Sequence, residues 1–151
     1  MSVGFRVYGI PVQQGSKRPG QNSKTGKLFV REETGERLKD WRVAVKEAAL
    51  QAREAGDVAT MTGAVRLQVH FLMPRPASVS PKKRFYPIVA PDLDKLIRAV
   101  GDALKDAGVY KDDCVICSIE ATKQYATDDL QNSPGAWIVV SEIPYTPVKQ
   151  S

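Results

Sequence analysis

The sequence predicts an α/β fold of the α+β type, with a mixed sheet of about four strands and two main helices in the order β-α-β-α-β-β. Residues 64–72 follow a period of two, with polar side chains at every second position from 66 to 70, which is typical of a strand with one buried face. Residues 35–55 and 93–107 repeat apolar residues at spacings of three and four, as amphipathic helices do. The last two strands, 114–125 and 137–143, follow each other across a turn. We therefore expect them to form an antiparallel hairpin.

Turn residues set the limits of the other elements. Residues 5–11 alternate and predict a first strand, and residues 27–30 predict a short additional one. Gly56 and Gly108 end the two helices. A chain of 151 residues has the usual length of one domain, so we expect a single domain over residues 1–151.

The net charge of +5 favours a polyanionic partner such as nucleic acid. The basic residues crowd two loops, one containing glycine and one rich in proline. They are Lys17, Arg18, Lys24, Lys27 and Arg31 in or beside the first loop, and Lys82, Lys83 and Arg84 in the second. Such loops either follow a phosphate backbone or are solvated and flexible.

The chain has no apolar run near the roughly 20 residues that cross a bilayer. Its first residues lack the layout of a signal peptide. We therefore expect a cytoplasmic protein without a membrane partner.

Cys114 and Cys117 form a C-x-x-C pair, which occurs in redox sites and zinc sites. The one histidine, His70, lies far away in a strand, so four zinc ligands are lacking. Alternation along a strand would turn the two thiols to opposite faces. We interpret both cysteines as small buried hydrophobic residues.

Acidic residues gather at the second helix. Asp92 lies at its N-cap position, and Asp94 lies in its first turn, where acids also serve as ordinary caps. The pair Asp112–Asp113 follows the helix, and a strand beside the helix start would bring Asp113 close to both. Three such carboxylates repel one another unless a divalent cation neutralises them. An oxygen-only site predicts Mg²⁺, with Mn²⁺ as a substitute.

Hydrolysis of a phosphodiester at such a site also needs a cation to stabilise the phosphate. Arg98 lies one turn after Asp94, on the helix face opposite the apolar stripe. Lys95 and Lys123 are the alternatives.

The run PDLDKLIRAVGDAL at 91–104, followed by VYKDD at 109–113, resembles the RusA family of Holliday-junction resolvases. The family pattern is P-D-x-D-N-L, then K-A-x-x-D-A-L, then D-D at the head of a strand. Residues 7–12 and the basic loop also resemble the start of the family, so the resemblance spans most of the chain. It implies a crossover junction endodeoxyribonuclease that resolves Holliday junctions by paired nicking in DNA recombination and repair. It also implies a homodimer of the kind common in phages and prophages.

The resemblance implies that Asp92, Asp94 and Asp113 bind the catalytic magnesium. Asp112 matches the family's neighbouring acid. Asp102 matches the acid within the helix, and we expect it to orient Arg98 across one helical turn.

Two positions depart from the family pattern. Lys95 replaces the asparagine after D-x-D, and Arg98 replaces the catalytic lysine. Arginine keeps the positive charge but does not donate its proton, so the general-acid role comes into question. Lys123 matches a lysine on the following strand of the family and is a second candidate for that role.

Two other functions stay open at this stage. One is a protein that binds junction DNA with weak or no catalysis, and the other is a related nuclease that acts on flaps or forks. The sequence does not distinguish them, and it identifies no dimer interface.

Overall fold

A computed structural model of the protein describes residues 1–15, 18–21, 28–31, 35–80 and 86–145. Its elements are β1 (Ser2–Tyr8), β2 (Arg18–Gln21), β3 (Leu28–Arg31), α1 (Gly35–Gly56), β4 (Val65–Met73), α2 (Leu93–Asp106), β5 (Ile116–Tyr125) and β6 (Gly135–Glu142), with 3₁₀ turns at Asp113–Val115 and Leu130–Asn132. The predicted fold class and element order are confirmed. The short strand expected at 27–30 is β3, and its partner β2 lies in the segment that we predicted to be a loop.

The main sheet has the strand order β1-β6-β4-β5. β6 is antiparallel to both β1 and β4, whereas β5 is parallel to β4. The expected hairpin between the last two strands is therefore wrong, because β4 lies between them. The cause is the helical connection: β4, α2 and β5 form a β-α-β unit, and its crossover returns the chain parallel to the strand it left.

Both helices pack on one face of this sheet. The alternation of β4 buries Val65, Leu67, Val69 and Phe71 in the core. α1 adds Trp41, Val45 and Ala49, and α2 adds Leu96, Val100 and Leu104. The apolar stripe of each helix thus faces the sheet, which leaves the opposite side of α2 open to solvent.

The helices of the described ranges carry too much charge over too short an apolar length for any of them to cross a membrane. In α1, charged residues recur on the outer side of the helix, and Arg42 pairs with Asp106 of α2 at 3.1 Å.

The chain reverses sharply after α2. Gly108 adopts the left-handed conformation with φ +69°, which glycine accepts without strain. The buried hydroxyl of Tyr110 then donates to the backbone oxygen of Gly101 at 2.7 Å. This contact returns the chain alongside the second half of α2, and the residues after Tyr110 are placed there.

The two cysteines are both free and exposed, so the prediction that they are buried is wrong. Cys114 lies in the 3₁₀ turn, where strand alternation does not apply. Cys117 lies on β5, which is an edge strand of the sheet.

His70 lies on the sheet face away from the helices, where its Nδ1 contacts the hydroxyl of Thr122. Partial burial lowers the pKa of His70, and a hydrogen bond with Gln124 opposes this. The folded protein therefore binds a proton here less readily than the unfolded chain does.

This difference predicts that the protein loses stability as pH falls below the ordinary histidine pKa of about 6.5, because the unfolded state then binds more protons. Thermal melting measured from about pH 7.5 to about pH 5.5 checks it. Wild-type Tm should fall more than that of His70→Gln, whose side chain does not titrate. Equal losses in the two proteins would contradict this role for His70.

Candidate active site

The start of α2 carries two exposed carboxylates. Asp92 holds the N-cap position with an extended backbone (φ −75°, ψ 136°), but its carboxylate makes no capping hydrogen bond. Its side chain is 59% exposed. Asp94 lies exposed in the first turn. Because the Asp92 carboxylate is not used to cap the helix, it remains accessible to a ligand from solvent.

The backbone around Asp92 is held from two other parts of the chain. The Asp92 N–H donates to Oε1 of Gln13 at 3.0 Å. The ammonium of Lys123 donates to the backbone oxygens of Val89 at 2.8 Å and Pro91 at 2.7 Å. These contacts fix the segment that leads into α2. The sequence pattern gave no signal for Gln13.

Lys95 lies beside the first acid. Its ammonium is 3.4 Å from Oδ2 of Asp92 in an i,i+3 pair, and both side chains are partly exposed. An ion pair in this setting contributes little to stability. The lysine at this position, where the family pattern has asparagine, therefore places a positive charge beside Asp92 at the candidate site.

Asp112 uses its carboxylate within the protein. It accepts from the backbone N–H of Asp113 at 2.8 Å and pairs with Lys105 at 3.0 Å. The hydrogen bond from Lys105 and that from the Asp113 backbone lower the pKa of Asp112. The same contact raises the pKa of Lys105. Asp112 thus caps the 3₁₀ turn.

The pKa of Asp113 is shifted upwards, in the direction opposite to that of Asp112. Desolvation raises its pKa first, and the charge of Asp102 raises it further, while Lys105 acts against both. Burial and the charge of Asp113 raise the pKa of the neighbouring Tyr110 hydroxyl as well. A cation close to Asp113 would therefore stabilise its ionised carboxylate.

Asp113 lies within electrostatic range of Asp102, and among the described residues it forms no metal-binding cluster with Asp92 and Asp94. The reason is the parallel pairing of β5, whose first residues lie next to the later part of α2. Eight residues separate Asp94 from Asp102, which is about 12 Å along a helix. Across the described ranges, no three acidic, histidine or cysteine side chains lie close enough to hold one metal ion.

Arg98 is exposed on the same face of α2 as Asp94 and Asp102, one helical turn from each of them. We expected Asp102 to orient Arg98, but within the described ranges no ion pair joins the two side chains. The charge of Asp102 acts on Asp113 instead. The helix face of Asp102 follows from residue spacing, whereas its influence on Asp113 does not.

Most of the residues predicted to bind nucleic acid cannot be placed relative to this site. Lys17, Lys24, Lys27, Lys82, Lys83 and Arg84 fall outside the described residues. The backbone of Arg18 belongs to β2, and that of Arg31 to β3. DNA binding by these loops stays a prediction.

Exposed carboxylates with lysine and arginine beside them have the chemistry of a nuclease site. The family model described as endodeoxyribonuclease RusA matches residues 11–131. This match covers most of the chain, which therefore belongs to the RusA family of endodeoxyribonucleases. A comparison with curated proteins found no match.

The different use of the two cap acids predicts different effects on stability. Asp92→Ala should change the free energy of unfolding by less than about 0.5 kcal/mol, because no capping hydrogen bond is lost. Asp112→Ala should lower Tm clearly more, because it removes a cap and an ion pair. Thermal and urea unfolding of both variants measure this. A larger loss in Asp92→Ala would show that its carboxylate caps α2.

Proposed function

We propose that the protein is a Mg²⁺-dependent, structure-selective endodeoxyribonuclease that resolves Holliday junctions by paired nicking as a homodimer. Membership of the RusA family supports a nuclease that acts on branched DNA. The observation that carries the proposal is the Asp92 carboxylate, which is exposed next to Asp94 and is not used as a cap. A purely structural acid at this position would be expected to cap the helix.

The proposed metal ligands are Asp92, Asp94 and Asp113, with Asp112 as a weaker fourth member. These all-oxygen donors fit Mg²⁺ or Mn²⁺ in chemical type, and the raised pKa of Asp113 fits a carboxylate that gains from a nearby cation. A single ion shared by Asp94 and Asp113 requires the two segments to approach each other. When bound, the ion would activate water and stabilise the leaving oxygen.

Arg98 is the stronger candidate for the catalytic cation, and Lys123, the other residue predicted for this role, is the weaker one. Arg98 lies between Asp94 and Asp102 on the exposed face of α2. Its guanidinium can there bind a phosphate group in the bidentate manner of arginine. It would stabilise charge without giving up its proton. Lys123 is directed at backbone oxygens and thus has fewer donors left for substrate.

The basic loops would bind the DNA arms away from the cleaved bond. The proposed nucleic-acid-binding residues are Lys17, Arg18, Lys24, Lys27, Lys82, Lys83, Arg84 and Lys95. Contacts of lysine and arginine with phosphates position DNA without reading its sequence. Lys95 differs from the rest because it lies at the acids themselves, where it would release Asp92 to pair with phosphate.

Replacing either acid at the start of α2 should abolish cleavage. Asp92→Asn and Asp94→Asn should reduce the rate on a synthetic four-way junction in Mg²⁺ by at least about 10²-fold. Junction affinity should be kept or increased, because each change removes a negative charge near phosphates. Gel-resolved cleavage and fluorescence anisotropy measure the two effects.

Asp57→Asn is the matched control, since it makes the same chemical change at an exposed residue after α1. Asp57 has φ +50°, a conformation that asparagine accepts readily. The control should cut at the wild-type rate. Wild-type cutting by Asp92→Asn or Asp94→Asn would overturn the assigned site.

A second candidate is a junction-binding protein with little or no catalysis. The separation of Asp113 from Asp92 and Asp94 favours it, as does the pairing of Asp92 with Lys95. A mobile junction incubated in Mg²⁺ and in EDTA separates the candidates. Symmetric nicks that require Mg²⁺ indicate a resolvase, and a gel shift without nicks indicates a binder.

The same cleavage assay tests the selectivity for junctions, and sedimentation tests the homodimer. Faster cleavage of flaps or forks than of junctions would indicate a related nuclease. Paired nicking by a preformed dimer requires a species of twice the 16.6 kDa monomer mass in sedimentation under assay conditions. A species of monomer mass would contradict it.

A further inference from the structure

We propose that Lys123 and Gln13 are positioning residues that together fix the backbone leading into α2, up to and including the N–H of Asp92. Lys123 then acts through this backbone and not on the DNA. The inference rests on the proposed function for its effect on cleavage. The attachment of the segment at residues 89–92 does not depend on that function.

Lys123 binds the backbone just before Asp92. Its ammonium donates to the carbonyl oxygens of Val89 and Pro91 at 2.8 and 2.7 Å, which lie on either side of Ala90. An ammonium has three donors, so two of the three are occupied by these contacts. Bonds from a charged donor are stronger than neutral ones. Within the described ranges, Lys123 forms no ion pair with a carboxylate that would draw it away.

Gln13 is committed to the backbone of Asp92 itself. Its Oε1 accepts from the Asp92 N–H at 3.0 Å. The next residue strengthens the attachment, because the N–H of Gln14 donates to the backbone oxygen of Lys95 at 3.1 Å. The segment after β1 is thus joined both to the N-cap and to the first turn of α2.

Gln13, which follows β1, and Lys123, which lies on β5, both bind the segment at residues 89–92, although they are distant from it in the sequence. The segment that enters α2 is the end of a long connection from β4, and exposed residues such as Ile88 and Val89 contribute little packing to hold it. Gln13 and Lys123 supply hydrogen bonds in place of that packing. A displacement of about 1 Å in a catalytic group can cost about 10²-fold in rate, so the attachment has a direct effect on cleavage.

The experiment measures single-turnover cleavage of a four-way junction in Mg²⁺ and junction affinity in EDTA. The variants are Lys123→Met, Lys123→Arg and Gln13→Leu, and the charge-matched control is Lys46→Met on the outside of α1. Lys123→Met and Gln13→Leu should each slow cleavage by about 10- to 100-fold with affinity changed less than about twofold. The double variant should lose less than the product of the two, since both changes release one segment.

Lys123→Arg separates positioning from proton donation. Arginine keeps the charge and the donors for two carbonyls but stays protonated. We expect it to cut within about tenfold of wild type with an unchanged pH–rate profile. An arginine variant as slow as Lys123→Met, or loss of the basic limb of the profile, would show that Lys123 acts on the substrate. A matching loss of affinity in Lys123→Met would identify a DNA contact.

Hydrogen exchange measured by mass spectrometry tests the attachment without cleavage. Peptides covering residues 88–95 should exchange faster in Lys123→Met and in Gln13→Leu, while peptides from β4 and α1 exchange as in the wild type. Unchanged exchange at 88–95 would overturn the inference. If wild type fails to cut junctions while exchange responds as expected, the proposed function fails and the attachment stands.

Discussion

The packing of α2 across the parallel pair β4 and β5 determines where every candidate catalytic group lies. Leu96, Val100 and Leu104 bury one side of the helix against the sheet, and this leaves the side with Asp94, Arg98 and Asp102 in solvent. The crossover also sends the start of β5 to the far end of α2. The positions of the acids are thus consequences of core packing.

The helices and the strand β4 could be predicted from the sequence because the patterns that indicate them are local. Alternation at β4 and three-four spacing in both helices report which side chains are buried, and burial is what stabilises those elements. Strand pairing is not local. The turn between β5 and β6 resembles that of a hairpin, yet β6 instead fills the position between β1 and β4. Only the whole sheet decides between these pairings.

In the candidate site, too, the local features could be predicted from the sequence and the long-range contacts could not. The residue types and the helix face of Asp94, Arg98 and Asp102 follow from spacing alone. The influence of Asp102 on Asp113 depends on the chain reversal at Gly108 and on the buried Tyr110. Neither feature can be predicted from the spacing of the acidic residues. Gln13 was not predicted for a related reason. A glutamine after a strand carries no pattern, and its contact with the Asp92 backbone exists only in the folded chain.

The parallel pairing of β4 with β5 also bears on how the protein folds. Such a pairing joins strands separated by all of α2 and its flanking loops, and contacts of this kind form slowly because a large loop must close first. The carbonyl contacts of Lys123 on β5 can form only after that step. Until β5 has paired, the segment that carries Asp92 therefore lacks two of the hydrogen bonds that hold it. The same two bonds are absent from any chain without this edge strand, even where α2 itself is intact.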